Sequence, residues 1–309
     1  MTKPIRIGTR ASTLALWQAN WVAMRLGEIG KKCSVVTINT HADQQPNVSL
    51  ESFGVPGVFT KELQKWLLDG RIDVAVHSLK DLPTDVVKGL SLAAVPQRES
   101  AFDVLISREG QKLGKLPPGA KVGTGSLRRQ SQLLHARSNL QMVQIRGNVD
   151  TRLQKLRAGL YDALILAEAG LKRLDLAWQI TEVLTPPLML PAIGQGALGL
   201  ETRSGDQAAQ ESVAEIDDPA AHQSVLAERT LLATLRGGCL APVGAWGRIE
   251  DDGRLHLSAC VLSANGRTRL SADLLGNSAD AVQIGRQAAE ELLAAGAGKL
   301  IEESRIKHK

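Results

Sequence analysis

The chain of 309 residues carries a formal net charge of +5, with 43% hydrophobic and 22% charged residues. This length suits two or three domains with substantial cores, and the apolar runs are too short to span a bilayer, which argues against a membrane protein. The N-terminus lacks the apolar core and cleavage site of a signal peptide, so a cytoplasmic protein is expected. Aromatic residues reach only 3% and the basic residues stand one or two at a time, which argues against a nucleic-acid partner.

The first part of the chain alternates strand and helix patterns. Strands are predicted at residues 5–8, 35–38 and 72–76. Ser12 is the expected N-cap of a first helix, which ends before Gly27 and Gly30, and a second helix extends from Phe59 to near Gly70. Such alternation predicts a mostly parallel sheet covered by helices.

A second unit begins after the turn at 117–119 and repeats this alternation. Strands are predicted at 122–124, 142–145 and 163–166, and helices at 127–136 and 151–156. Beyond Pro219 the pattern changes to a helix at 226–235, antiparallel strands at 245–249, 255–262 and 268–274, and a long helix from Ala279. Turn signals at 251–253 and 264–266 predict the hairpins. The predicted fold class is therefore α/β, with two α/β domains and a small C-terminal α+β domain.

Two common motifs do not fit their usual context here. Gly194, Gly196 and Gly199 spell GxGxxG, but the prolines before them exclude the strand that a dinucleotide site requires. The histidines lack the close pairing of a metal site. His77 and Asp81 could meet on one turn, yet a hydrogen-bonded histidine is the favoured interpretation, and no metal is expected.

Cationic and hydroxyl side chains follow the predicted strands of both α/β domains. Ligands bind beyond the carboxyl ends of such strands, where helix N-termini present free N–H groups. A single arginine there is usually solvated or ion-paired, but several at equivalent positions indicate a ligand with multiple carboxylates or phosphates. These residues are Thr9, Arg10, Ser12, His77, Ser78, Lys80, Ser126, Arg128, Arg129, Arg146, Asn148 and Arg152.

One acid and one cysteine stand out from this cationic series. Asp81 either forms a salt bridge with Lys80 or an arginine, or directs its carboxylate at positive charge on a substrate. Cys239 lies in a glycine-flanked loop that suits covalent attachment. Its position alone is equally compatible with a free thiol that has no chemical role. The cysteines are odd in number and widely spaced, which argues against disulfides, and Cys33 and Cys260 have ordinary explanations.

Several segments, taken together and in order, resemble the porphobilinogen deaminase family. The most specific are VHSLKD, SLRRQ, RGNVDTR and GGC, and the similar segments extend from Ile7 to Ala245. The resemblance implies two α/β domains like those of type II periplasmic binding proteins and a third domain that carries a cofactor cysteine. It places domain 1 at 4–96 and 197–214, domain 2 at 102–190 and domain 3 at 219–309.

The resemblance also implies a reaction. Four porphobilinogen molecules are joined head to tail with loss of ammonia on a dipyrromethane primer held by Cys239, and hydrolysis then releases hydroxymethylbilane for tetrapyrrole (heme) biosynthesis. A monomeric transferase is expected. Asp81 becomes the catalytic carboxylate. The implied cofactor-binding residues are Lys80, Ser126, Arg128, Arg129, Arg146 and Gly196, and the implied substrate-binding residues are Arg10, Ser12, Arg152, Arg173 and Gln195.

The chain departs from the family pattern in the segment 41–57, which is expected to form a mobile lid. Asp43 and Phe59 are the lid residues that the resemblance implies. The departures are His41, Ala42 and Pro56 in the lid and Leu240 after the cysteine. Because Pro56 stands where the family has a lysine, the lid is expected to contribute little to charge neutralisation.

Two other interpretations of the sequence stay open. The first is a non-catalytic module of the same fold that binds polycarboxylates or oxyanions; its receptor version is weakened by the missing signal peptide. The second is a degenerate paralogue that assembles no primer. The intact mass of the protein distinguishes both from the enzyme.

Overall fold

The computed structural model describes residues 3–38, 58–238 and 241–306. The chain divides into two compact units, each made of two stretches: unit 1 comprises Met1–Glu99 and Ala197–His222, and unit 2 comprises Ser100–Gly196 and Gln223–Lys309. The finer three-domain boundaries stay a prediction. None of the helices in the described ranges is long and apolar enough to cross a membrane.

The elements of the described residues are numbered in chain order. The strands are β1 (Ile5–Arg10), β2 (Cys33–Ile38), β3 (Val74–Ser78), β4 (Leu90–Ala94), β5 (Asp103–Ser107), β6 (Lys121–Gly123), β7 (Gln141–Val143), β8 (Ala163–Ala167), β9 (Glu182–Leu184), β10 (Leu198–Arg203), β11 (Val243–Ile249), β12 (Arg254–Leu262) and β13 (Arg269–Asn277). The helices are α1 (Thr13–Glu28), α2 (Val58–Leu68), α3 (Leu127–Ala136), α4 (Val149–Arg157), α5 (Glu168–Arg173), α6 (Gln207–Ala214), α7 (Pro219–Thr234), α8 (Ala281–Ala294) and α9 (Ala297–Ile306).

The sheet of unit 1 has the strand order β2-β1-β3-β10-β4. β1 pairs in parallel with β2 and β3, whereas β10 pairs antiparallel with β3 and β4. Val22 and Leu26 of α1 share one core cluster with Ile7 of β1, and Leu63 of α2 shares another with Ala75 of β3. Apolar residues on both faces of the strands are what a mostly parallel sheet between helices requires.

The α/β sheet of unit 2 repeats this arrangement, with the order β7-β6-β8-β5-β9. β6 runs parallel to β7 and β8, and β5 is the reversed strand, antiparallel to β8 and β9. In each sheet the reversed strand is therefore fourth in the order. This repeat confirms the predicted α/β fold class, with two sheets of the same mixed topology.

The third sheet, also in unit 2, is the predicted antiparallel meander β11-β12-β13. Gly253 and Gly266 adopt φ values of +79° and +72° in its two turns, which glycine tolerates without strain. One face of the sheet packs against α7, α8 and α9, with Leu231, Leu257 and Leu292 fully buried in the shared core.

The structure differs from the sequence-based elements in two ways. The long helix expected from Ala279 is two helices, α8 and α9, interrupted at Gly296, whose φ of +102° breaks the helical backbone. The sequence also missed the strands β4, β5, β9 and β10 and the helices α5 and α6. In β10 the buried acid Glu201 interrupts the apolar pattern that signals a buried strand, and in β5 the buried acid Asp103 takes the first position and shortens the apolar run.

Candidate active site

The carboxyl ends of β1 and β3 lie side by side in unit 1, because these strands pair in parallel. Arg10 ends β1, and Ser12 caps α1 by accepting a hydrogen bond from Ala15 N at 3.4 Å. The cap uses a lone pair of the Ser12 hydroxyl, so its proton remains available to an acceptor. β3 leads into a short 3₁₀ turn, Leu79–Asp81, in which Lys80 is half-buried and Asp81 is exposed. The structure thus brings four predicted site residues to one sheet edge.

His77 is a hydrogen-bonded core residue, as the sequence interpretation favoured. Its Nε2 lies 3.1 Å from Oε2 of Glu201, and Gln64 donates to the other carboxylate oxygen at 3.1 Å. All three side chains are buried in unit 1. Within the described residues, no group of three or more histidine, cysteine or acidic side chains could hold a metal ion.

In unit 2, Arg128 and Arg129 converge on a carboxylate that the sequence analysis overlooked. Asp103 opens β5 and is fully buried. Arg128 Nη1 donates to Asp103 Oδ2 at 2.6 Å, and Arg129 Nε donates to Oδ1 at 2.9 Å. Gln195 Nε2 donates to Oδ1 at 3.0 Å. A lone acid at the start of an otherwise apolar strand, DVLIS, is the signal that could have revealed it.

Burial alone would raise the pKa of Asp103, but the charges of Arg128 and Arg129 and the hydrogen bonds from Arg128 and Gln195 hold this pKa well below its usual range. Asp103 is therefore ionised at neutral pH. Each guanidinium is also fixed by a main-chain acceptor, since Arg128 donates to Leu190 O at 2.8 Å and Arg129 donates to Ile165 O at 3.0 Å.

Arg152, which lies in α4, is half-buried, and its Nε donates to Gly147 O at 2.8 Å. Burial, with repulsion from Arg129 as the second cause, lowers the pKa of Arg152 to about 10. Both guanidinium groups are charged at neutral pH, so this region carries a positive potential that an anion would relieve. Arg146 precedes α4 and is exposed, and Ser126 caps α3 by accepting from Arg129 N at 3.5 Å.

The turn that carries Gln195 and Gly196 accounts for the GxGxxG pattern. Gly194 and Gly196 have φ values of +68° and +87°, and the strand β10 rather than a helix follows them. Arg173, buried in α5, donates to Gly196 O at 2.7 Å. The glycines therefore shape a tight turn, and the dinucleotide interpretation has no structural support there.

Glu228 is another buried acid that sequence reasoning missed. It is fully buried in α7 and accepts hydrogen bonds from Gly194 N at 2.7 Å and Gly247 N at 2.8 Å. The carboxylate thereby joins the Gly194–Gly196 turn to the C-terminal sheet. No local pattern identifies it, because a glutamate in a helix is ordinarily a surface residue.

Cys239 and Leu240 lie outside the described residues, as do His41, Ala42, Asp43 and Pro56 of the expected lid. Phe59 belongs to α2 by its backbone only, its side chain being outside the described part. The chain just before Cys239 turns sharply, with φ of +50° at Arg236 and +67° at Gly238. Burial raises the pKa of both Cys33 and Cys260, so neither thiol is activated as a nucleophile.

The donor set at the strand ends suits a ligand with several carboxylates. Guanidinium groups, an ammonium group and helix-capping hydroxyls are the chemistry that binds carboxylate oxygens. The buried Nε of Arg128 has no hydrogen-bond partner among the described residues, which is unusual and fits an arginine site that takes a ligand. The protein is therefore of the α/β class, and each of its two α/β sheets carries at its strand ends the kind of donor that binds anions.

Comparison with known proteins identifies the family. Residues 5–211 match the family model "Porphobilinogen deaminase, dipyromethane cofactor binding domain", and residues 222–294 match "Porphobilinogen deaminase, C-terminal domain". The chain is 47% identical over 307 residues to a porphobilinogen deaminase of Pelotomaculum thermopropionicum, covering 99% of this chain and 98% of the relative. It is 45% identical over 301 residues to that of Moorella thermoacetica, covering 97% and 96%. The chain belongs to the porphobilinogen deaminase family.

Among solved structures, the chain is similar to a lipoprotein of the YaeC family from Enterococcus faecalis. That match has a TM-score of 0.43 and 12% identity, covering 70% of this chain and 91% of the other. A nutrient binding protein from Burkholderia cenocepacia bound to methionine matches with a TM-score of 0.42 and 14% identity, covering 74% and 95%.

Proposed function

We propose that this chain is a transferase that joins four porphobilinogen molecules head to tail, releases ammonia at each step and finally releases hydroxymethylbilane by hydrolysis, in tetrapyrrole biosynthesis. Family membership supports the reaction. The main structural support is the cluster of guanidinium groups in unit 2, those of Arg128, Arg129 and Arg152. Porphobilinogen bears an acetate and a propionate, so each condensation adds negative charge that the protein has to neutralise.

Cys239 would hold the dipyrromethane as a thioether, and this cofactor supplies the free pyrrole carbon to which the first substrate is joined. Lys80, Ser126, Arg128, Arg129 and Arg146 are proposed to bind its carboxylates, with Gly196 lining the site. The cationic and hydroxyl donors among these residues fit the cofactor, because bidentate guanidinium groups match the planar geometry of its acetate and propionate groups.

The substrate is proposed to contact Arg10, Ser12, Arg152, Arg173 and Gln195. Loss of ammonia from its aminomethyl group breaks a carbon–nitrogen bond and leaves positive charge shared with the pyrrole nitrogen. Asp81 would stabilise that charge, since its carboxylate, in the turn that follows β3, offers a negative partner. The arginines bind and orient the substrate while Asp81 lowers the barrier.

The intact mass of the purified protein tests this function. We expect a dipyrromethane adduct that Cys239→Ser removes together with all turnover. Cys33→Ser and Cys260→Ser are the matched controls and should keep both the adduct and the activity. A Cys239→Ser protein with normal turnover would contradict the proposal, and a wild-type protein without adduct or turnover would favour the binding-module or degenerate-paralogue interpretation.

The role of Asp81 makes a separate prediction. Asp81→Asn should lower turnover by on the order of a hundredfold, about 3 kcal/mol in the barrier, because the amide carries no negative charge. The Michaelis constant should change far less, since Arg152 and Arg173 still bind the substrate. Steady-state kinetics of Asp81→Asn and Asp81→Glu check this, with partial recovery expected for glutamate. Unchanged turnover in Asp81→Asn would leave Asp81 as a surface charge only.

The monomeric state, the cytoplasmic location, the absence of a nucleic-acid partner and the lid function of Asp43 and Phe59 are part of the same proposal. They rest on the sequence expectations given above.

A further inference from the structure

Asp103 is the common acceptor of three side chains that the proposed function assigns to the binding site. Arg128, Arg129 and Gln195 all donate to its carboxylate, at 2.6 Å, 2.9 Å and 3.0 Å. Arg129 makes a further ion-pair contact through Nη2 at 2.7 Å from Oδ1. Asp103 itself is fully buried and Arg128 and Arg129 are nearly so, which makes Asp103 inaccessible to solvent in unit 2.

A buried carboxylate is costly to desolvate, so a merely stabilising role does not explain its presence. Replacing buried ion pairs with apolar residues is often neutral or stabilising. Here two guanidinium groups meet one carboxylate, so the cluster keeps a net positive charge. In agreement with this, burial first and repulsion from Arg129 second lower the pKa of Arg152. Asp103 therefore fixes the arginines without cancelling their attraction for an anion.

Asp103 also holds a segment that lies far from it in the sequence. Gln195, 92 residues from Asp103 in sequence, also donates to Ala101 O at 2.7 Å, next to the start of β5. The turn that carries Gln195 is in turn held by Glu228 through Gly194 N. Asp103 is thus the point where β5, the start of α3 and the Gly194–Gly196 turn are held together.

We propose that Asp103 is a positioning residue for the carboxylate-binding site, which sets the orientation of the guanidinium groups of Arg128 and Arg129 for the ligand. This inference rests on the proposed function. Its chemical basis is that a planar guanidinium binds a carboxylate well only in a defined orientation, and a second carboxylate that accepts from the same guanidinium fixes that orientation.

The test is a double-mutant cycle of Asp103→Asn with Arg129→Lys, read as the fraction of the purified protein whose intact mass includes the dipyrromethane adduct. Asparagine keeps the size and one acceptor oxygen of Asp103 but removes the charge. We expect Asp103→Asn to lower the primer-loaded fraction by about tenfold or more, because the guanidinium groups that hold the primer's carboxylates lose their fixed orientation. In the Arg129→Lys background the same change should have a clearly smaller effect, because part of the action of Asp103 is exerted through Arg129.

The control is Asp162→Asn. Asp162 is also in unit 2, accepts from Lys121 N and pairs with Arg108, but belongs to no part of the proposed site. It should leave the primer-loaded fraction near that of the wild type. A folded Asp103→Asn protein with an unchanged primer-loaded fraction, or effects that multiply independently in the cycle, would overturn the inference.

If Asp103→Asn does not fold, the double variant Asp103→Asn/Arg128→Gln replaces it, because it removes one charge of each sign. Its primer-loaded fraction should fall below that of Arg128→Gln alone by several-fold, and equality of the two would overturn the inference. Wild-type turnover and adduct mass report on the proposed function independently. A wild type lacking both would remove the basis for Asp103 as well, whereas an active wild type with an additive cycle would reject Asp103 alone.

Discussion

The surroundings of Arg152 disfavour the positive charge of its guanidinium group. Burial and the nearby Arg129 lower its pKa to about 10, and the guanidinium nevertheless stays charged at neutral pH. An enzyme keeps such an arrangement where a ligand supplies the missing negative charge. The ligand-free protein therefore contains electrostatic repulsion that carboxylate binding should relieve.

This repulsion predicts how carboxylates stabilise the protein without its primer. Citrate should raise the Tm of Cys239→Ser more than chloride does at equal ionic strength, because it binds the folded state. Adding Arg152→Gln should remove much of that gain, since one charge-assisted bond is worth roughly 1.5–3 kcal/mol. Thermal unfolding measures both effects. Arg157→Gln, an exposed arginine of the same helix, is the control and should leave the citrate effect intact; an equal citrate gain in both variants would argue against Arg152 as a carboxylate ligand.

At the scale of elements, two neighbouring helices begin with different caps. Asn148 caps α4 with Oδ1 at 2.9 Å from Thr151 N and 2.8 Å from Thr151 Oγ1. Ser126 caps α3 with a longer contact of 3.5 Å to Arg129 N. Short, well-formed caps contribute more to stability than long ones.

Removing the two caps should affect stability and primer binding in opposite ways. Asn148→Ala should lower the free energy of unfolding by about 1 kcal/mol, and Ser126→Ala by less. Primer loading, followed by intact mass, should suffer more in Ser126→Ala if its hydroxyl binds the cofactor. Urea unfolding gives the stability of the two variants, and intact mass gives their primer loading. Equal loading in both variants would restrict Ser126 to its capping role.

For the molecule as a whole, acid stability depends on carboxylates that are paired in the folded state. Asp73, in unit 1, accepts from Arg6 Nη2 at 2.7 Å and from Arg203 Nη2 at 3.0 Å. Partial burial alone would raise the pKa of Asp73, but hydrogen bonds from Arg6 and Arg203 and the charge of Arg6 lower it to about 2. The folded state thus holds the ionised form more tightly than the unfolded chain does.

The sign of this shift fixes the pH window. Because the folded pKa lies below the unfolded value of about 3.9, the stabilisation is complete well above pH 4 and is lost as the pH falls towards 2. Asp73→Asn should therefore be less stable than the wild type at pH 6, and the gap should narrow by about pH 2. Urea midpoints across this range check it, with the exposed Asp85→Asn expected to follow the wild type. A gap that is constant with pH would contradict the ionic explanation.

The sequence by itself determined the class of the fold and the kind of ligand. Helical spacing and capping residues placed α1 and α3, and glycine-containing turns placed the C-terminal hairpins, because these signals depend on neighbours along the chain. The strand-end cations indicated a polyanion for the same reason. The ordered motifs indicated the family, which the comparisons confirm.

Only the tertiary structure decided which strands reverse and what the arginines face. β5 and β10 take equivalent antiparallel positions in their sheets, yet each contains a buried acid that hides its strand pattern. Asp103 meets Arg128 across 25 residues and Gln195 across 92, and Glu228 meets Gly194 across 34. A carboxylate in a local sequence looks like a surface residue, and its burial becomes favourable only when folding brings distant cations and amides to it.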